Sequence, residues 1–304
     1  MFVREPLQLL KIAVSCWTNT FVNAKNDTSK KNCKNNRKTM PEGQKVDSFK
    51  FTVQPFDDDY TGRLSWSVLG KHVLACAENH AGARGFDRLT LNGHRFLWVL
   101  SRMSFDMITW PKLGEEYTIS TWICRYYRYF TDRCFDIRDA NGNIIGYVFT
   151  IWAMIDETTR KPQVLEELFG HTFDPYIETE RYCSVQPFSR IRLDNSFCLH
   201  NRPTYYSDID ENNHVNSIRY IEFILDTFPK QLFSTHQVSH LEIAYNSESY
   251  CGDQLGIWVK ESATDKYHIV VKKNIDDKEN QQTGETVCHC AVTFKPLIRQ
   301  EKIK

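Results

Sequence analysis

Apolar residues Trp66, Leu69, Val73, Leu74 and Ala77 recur at helical spacing after an acidic turn, Asp57-Asp58-Asp59 with Gly62, and predict a helix ending near Gly82 and Gly85. A strand-like run at Phe51 precedes it, and strands follow. Trp98 to Met107 is rich in β-formers, Pro111 and Gly114 punctuate, and Tyr117, Ile119, Thr121 and Ile123 share one face of the next strand. Arg133 to Arg138 leads to an Asn141-Gly142 hairpin turn, and Ile144 to Ile155, apolar on both faces, reads as a central strand.

The second half repeats this order. Ile218, Ile221, Leu225 and Phe228 form the apolar stripe of a helix from Ser217; strands follow Gly252, span Tyr267 to Lys272 and, after a polar loop at Thr283-Gly284, run from Thr286 to Phe294. Gly114-Glu115 before Tyr117 and Ile119 is matched by Gly252-Asp253 before Leu255 and Ile257. The stretch from Asp59 to Gly114 is 55 residues and that from Asp210 to Gly252 is 42, so the first half carries extra loop, assigned to Arg84 to Arg95. Two copies of one helix-plus-antiparallel-sheet unit, an α+β fold, are implied, with a linker between Phe173 and Gln186.

Between the repeats and the second helix lies the most polar patterned stretch. Asp208, Asp210, Asn212, His214 and Asn216 occupy alternate positions, which in extended backbone would set them on one side. Asn216 and Ser217 are N-cap types, and the helix after them would turn unpaired N–H groups and a partial positive charge toward the loop, where an oxyanion is stabilised. Taken singly, each of these residues also reads as a cap, a turn or a loop histidine.

Composition narrows the class. The chain has 304 residues, 41% hydrophobic and 13% aromatic, enough for one large or two ordinary globular domains. Thirty-eight basic side chains balance thirty-eight acidic ones, so no global field argues for nucleic acid or a membrane surface. No apolar run reaches the roughly 20 residues of a membrane span, and Lys11 breaks the best candidate, Leu7 to Trp17. Ten scattered cysteines favour reduced thiols and a cytoplasmic location. Residues 1–45 read as a disordered tail, dispensable through Thr39, with Met40 a plausible start.

Asp208-x-Asp210-x-Asn212 imitates the opening of a calcium loop, but the sixth position is Asn213 instead of Gly and the twelfth is Arg219. Cys288-His289-Cys290 reads as strand packing, because alternation puts His289 on the face opposite the cysteines. Neither points to a metal.

Ser207 to Asn216 resembles the active-loop signature of the acyl-acyl carrier protein thioesterases, in which Asp, Asn and His alternate before Val-Asn and a helix. Trp98 to Met103, Trp110-Pro111 with Gly114, Thr121-Trp122, and Trp152 with Thr159-Arg160 extend the resemblance over roughly Phe51 to Leu297. It implies two tandem hot dog domains, each an antiparallel sheet wrapped around a long central helix, residues 46–173 and 187–298; because Asp210, Asn212 and His214 have no counterpart after Asp59 while the first half keeps Trp98, Trp110, Trp122 and Trp152, the first is expected to hold the acyl chain and the second to carry the chemistry. It also implies that fatty acyl-acyl carrier protein is hydrolysed to free fatty acid in fatty acid biosynthesis. Tyr245-Asn246-Ser247-Glu248 is similar to the family's Tyr-x-x-Glu run and makes Glu248 the candidate base. Plant relatives have a cysteine directly after that glutamate; here Ser249 stands there and Cys251 follows two positions on, which weakens a cysteine mechanism.

A thioester needs little help to lose its thiolate, whose parent group has a pKa of about 8.5. What remains is to activate water and hold the oxyanion. A buried carboxylate with its affinity for protons raised suits the first task, assigned to Glu248; Asn212 and His214 would orient water or carbonyl and Asp210 would hold one of them. The roles of these four stay open at this level. So does the choice between an acyl-carrier-protein thioesterase, an acyl-coenzyme A thioesterase of the same fold and a non-catalytic acyl-binding protein. Leu69, Val73 and Ala77 are the candidate lining of the acyl slot, with plain core as the alternative. No cofactor is implied, and a homodimer is left open. Arg125, Arg128 and Arg133 form a candidate dock for an acidic carrier, although solvated strand charge is the preferred account.

Overall fold

The computed structural model describes residues 44–86, 95–186, 188–191, 194, 198–274 and 284–297. Met40, nearly all of the predicted tail and most of the extra loop before Arg95 lie outside the described residues. Ten strands form one antiparallel sheet: β1 (Asp47–Thr52), β2 (Phe96–Met107), β3 (Glu116–Tyr127), β4 (Phe130–Asp139), β5 (Ile144–Asp156), β6 (Cys198–Pro203), β7 (His236–Tyr245), β8 (Gln254–Ala263), β9 (Lys266–Lys273) and β10 (Glu285–Pro296). Their order is β1-β3-β4-β5-β2-β7-β10-β9-β8-β6, so two five-stranded sheets are fused edge to edge through β2 and β7. This is the tandem hot dog fold. Each half removes one exposed edge of the other.

The helices are α1 (Trp66–Gly82), α2 (Leu165–Phe169), α3 (Ser217–Leu225) and α4 (Lys230–Thr235). Ser65 caps α1 by accepting from the Val68 amide, and Leu69, Gly70, Val73, Cys76, Ala77, His80 and Ala81 form its buried face. Gly70 is where α1 meets α3: a Cβ there would stand 2.7 Å from Ile218 Cδ1, so any larger residue would have to push that side chain aside. The second central helix is much shorter than the first. Asn216 caps it through the Ile218 amide at 2.9 Å, and it ends at Asp226, before Pro229 would clash with a continuing turn. A single apolar core runs beneath both helices, from Leu69 and Val73 through Val215 and Ile218 to Val292.

The predicted linker is not slack. Arg181 pairs with buried Asp136 at 2.6 Å and stacks on Trp122, and the Gln186 and Ser189 amides donate to Asp106 at 2.8 Å and Glu242 at 2.6 Å. Those two carboxylates flank His240 across the β2–β7 seam, at 2.7 Å and 3.5 Å. Burial alone would lower the imidazole's affinity for protons, but the hydrogen bonds to Asp106 and Glu242 outweigh it and raise the pKa to about 9. A raised value in the folded state contributes stability that is fully present below the unfolded value of about 6.5 and is lost as pH rises through about 9. Thermal unfolding from pH 6 to 10 is expected to show the wild-type protein losing at least about 1 kcal/mol over that window. His240→Gln, less stable at pH 6, should show no such loss.

Candidate active site

The loop before α3 is a hairpin instead of the predicted extended run. Ile209 bridges Val215, the Asp210 amide donates to the His214 carbonyl at 3.0 Å, and the chain reverses through Asn213 at φ 64°. The Asp210 carboxylate fixes the reversal by accepting from the Asn212 amide at 2.8 Å. Reversal splits the five alternating residues. Asp208 is buried and bound to Arg219 at 2.8 Å and Arg202 at 3.4 Å, Asn216 is the α3 cap, and only Asp210 and His214 face each other, with Oδ1 and Nδ1 3.8 Å apart. Asn212 is exposed, and its side chain makes no hydrogen bond to another described residue.

Glu248 sits in the turn after β7, and several bonds bring it to the hairpin. The Tyr245 hydroxyl donates to the Ser217 carbonyl at 2.9 Å, and the Val215 amide donates to the Ser249 carbonyl at 2.8 Å. The buried Lys273 ammonium donates to the Glu248 carbonyl and pairs with Glu285 at 3.4 Å. His214 Nε2 consequently lies 3.6 Å from Glu248 Oε1, and the Tyr250 hydroxyl donates to Oε2 at 3.2 Å.

The remaining partner comes from the other domain. Arg160 Nη2 donates to Glu248 Oε1. The turn after β5 presents it: Asp156 Oδ1 accepts from the Thr158 and Thr159 amides at 3.0 and 2.7 Å, and Arg160 itself takes φ 57°. A buried base was expected, whereas the Glu248 side chain is 31% exposed and ion-paired, because it stands at the rim where the two sheets' turns meet. The sequence pattern pointed to Thr159-Arg160 only through the resemblance and assigned no role.

Asp210, His214, Glu248, Arg160 and Tyr250 thus form one continuous chain of polar contacts beside the capped start of α3. A water bound between His214 and Glu248 would meet a carboxylate able to take its proton, whereas the Ile218 and Arg219 amides at the start of α3, expected to face an oxyanion, are taken by the Asn216 side chain and carbonyl. Cys251 is exposed in the following turn, and the buried Ser249 hydroxyl has no hydrogen-bond partner among the described residues. Neither is engaged by His214.

Leu69 and Val73 are fully buried and Ala77 is 5% exposed, in the core that also holds Ile218. A separate cavity of about 440 Å³ opens at the opposite end of α3, between Trp66, Trp110, Leu225, Phe228 and Phe233. Of the suggested basic dock, Arg125 is exposed and paired with Asp132 at 2.5 Å, but Arg133 lies inside the domain, because β4 turns it to the face that α1 covers. That removes it from any surface.

Comparison with known proteins identifies the family. Residues 44–171 match the family model described as acyl-ACP thioesterase N-terminal domain, and residues 192–296 match acyl-ACP thioesterase C-terminal domain. An acyl-ACP thioesterase structure from Bacteroides thetaiotaomicron is 40% identical, covering 84% of this chain and all of that one, with a TM-score of 0.75. The 12:0-ACP thioesterase of Umbellularia californica, 18% identical with a TM-score of 0.71, covers 83% of this chain and 98% of that one, and shares the fold. Among curated sequences, the chloroplastic oleoyl-acyl carrier protein thioesterase 2 of Arabidopsis thaliana is 24% identical over 220 residues, 66% of this chain and 58% of that protein. The chain therefore spans a little over half the length of the curated relatives it matches.

Proposed function

Because the chain belongs to the acyl-ACP thioesterase family, we propose that it hydrolyses fatty acyl-acyl carrier protein to free fatty acid, with Glu248 as the base. The observation that carries this reading is the convergence on Glu248 of His214 from the C-terminal domain and Arg160 from the N-terminal one. Glu248 takes a proton from water as the water oxygen attacks the thioester carbonyl carbon. The carbon–sulfur bond then breaks, and the proton passes to the departing thiolate. Asp210 holds His214, and His214 orients the water; Arg160 and Tyr250 fix the carboxylate. Asn212 is the weakest of the four sequence candidates, being exposed and joined to Asp210 by its backbone alone. The purified chain offered acyl-carrier-protein and coenzyme A thioesters should release free acid, faster from the carrier.

The same reading divides the work, with the acyl chain held by residues 46–173 and the chemistry by residues 187–298. Scattered thiols fit a reducing, cytoplasmic compartment, and no described helix is long and apolar enough to cross a membrane. The buried stripe Leu69, Val73 and Ala77 leads away from the Gly70–Ile218 contact, next to the catalytic hairpin, and is the proposed slot lining. Each CH₂ buried there is worth about 0.8 kcal/mol, roughly four-fold in kcat/KM. Val73→Ala and Ala77→Val are expected to move the optimum to longer and shorter chains respectively, measured as the length profile of released acids. A changed total rate with an unchanged profile would place the chain elsewhere.

A further inference from the structure

Deep under α1, at the end of that buried stripe, two polar side chains keep hydrogen-bonding capacity unused among the described residues. Arg133 is 5% exposed, and its only side-chain hydrogen bond among the described residues is from Nη1 to Thr121 Oγ1, at 3.3 Å. Thr121 in turn donates to the Cys134 carbonyl. Burial, with the repulsion of Arg84 next, lowers the guanidinium's pKa to about 10, which leaves it cationic at neutral pH with most of its donors unused. His80, fully buried on the facing side of α1, uses Nε2 to reach the Lys45 carbonyl at 3.1 Å, and Nδ1 has no partner. Burial, together with the charges of Arg133 and Arg84, keeps this ring neutral, so Nε2 carries the proton and Nδ1 presents a bare lone pair.

Among the other charges nearby Asp47 is paired, while Arg84 keeps one donor, Nε, without a partner. Arg84 and Asp47 bind each other at 2.7 Å, and Arg84 also donates to the His80 and Gln44 carbonyls. Left over are an acceptor on His80, the Arg84 Nε donor and the Arg133 donors that Thr121 does not take, and an unfilled buried polar group such as His80 Nδ1 is costly. A carboxylate or oxo group would accept from Arg133 yet leave Nδ1 bare. A hydroxyl accepts from the one and donates to the other.

We propose that the acyl slot ends in a hydroxyl receptor formed by Arg133 and His80, and that the chain accepts acyl groups hydroxylated at the end far from the thioester. The proposal rests on the slot running along the Leu69–Val73–Ala77 stripe. His80 lies ten residues beyond Gly70 on α1, about 15 Å along its axis, so the hydroxyl belongs near the far end of a long chain.

The test offers the full chain acyl-carrier-protein thioesters of equal length, methyl-ended, hydroxylated at the last or penultimate carbon, or oxo-substituted there. The wild-type protein is expected to show kcat/KM at least about 10-fold higher for a hydroxylated chain than for the methyl-ended and oxo chains. Arg133→Met and His80→Phe should bring that ratio to one or below while methyl-ended chains are still hydrolysed. Wild-type discrimination decides alone if a variant does not fold: a methyl-ended chain cleaved as well as every hydroxylated one overturns the proposal. Should no thioester be cleaved, the hydrolase reading fails separately, and calorimetry with free hydroxylated and plain fatty acids tests the receptor. Tighter binding of the hydroxylated acid supports it, and equal binding refutes it.

Discussion

Glu248→Gln is expected to lower kcat by roughly 10²–10⁴-fold, the range a positioned general base contributes. Glutamine keeps the volume and the hydrogen bond from Tyr250, but it removes basicity and the charge that Arg160 holds. The loss should therefore appear in kcat with unfolding temperature little changed, since the side chain stands at a rim. Ser249→Ala and Cys251→Ala should each cost far less, because neither side chain meets His214. An active Glu248→Gln protein beside an inactive, folded Cys251→Ala protein would replace the water mechanism by a thiol one.

Arg160→Met carries the next largest expected effect, a fall of about 10–10²-fold in kcat. A misplaced catalytic group can cost that much without touching substrate. Arg160 acts through Glu248, so it is a positioning residue. A purely structural role predicts lost stability with no rescue; positioning predicts an unchanged melting temperature, a kcat loss exceeding any change in KM, and partial recovery in Arg160→Lys. Since Arg160 reaches Glu248 from the other domain, the variant also asks whether the N-terminal half serves chemistry as well as binding.

Periodicity placed most of the fold, because α1, β3, β5, β8 and β9 bury one clear face or both. It missed β6, a polar strand at the sheet edge ending in Pro203 and pairing only with β8. It also passed over β7, where a bulge at Ser239 breaks the two-residue period between Val238 and His240. The alternating loop misled because spacing says nothing of a reversal at Asn213. Asp210 and His214 end up face to face as hairpin partners, and Asp208 is spent on Arg202 and Arg219. Arg160 and Glu248 are 88 positions apart, so nothing local to either residue announces their pairing. Arg133 looked like surface charge because a strand's polar residues usually face solvent; here α1 covers that face.

The most direct measurement is product release by the purified chain from one fatty acyl group carried either on acyl carrier protein or on coenzyme A, with Glu248→Gln run beside it. The account predicts free fatty acid from the carrier-bound substrate at the higher kcat/KM and its near-disappearance in the variant. Fatty acid released equally by both proteins, or by neither from either carrier, would contradict it.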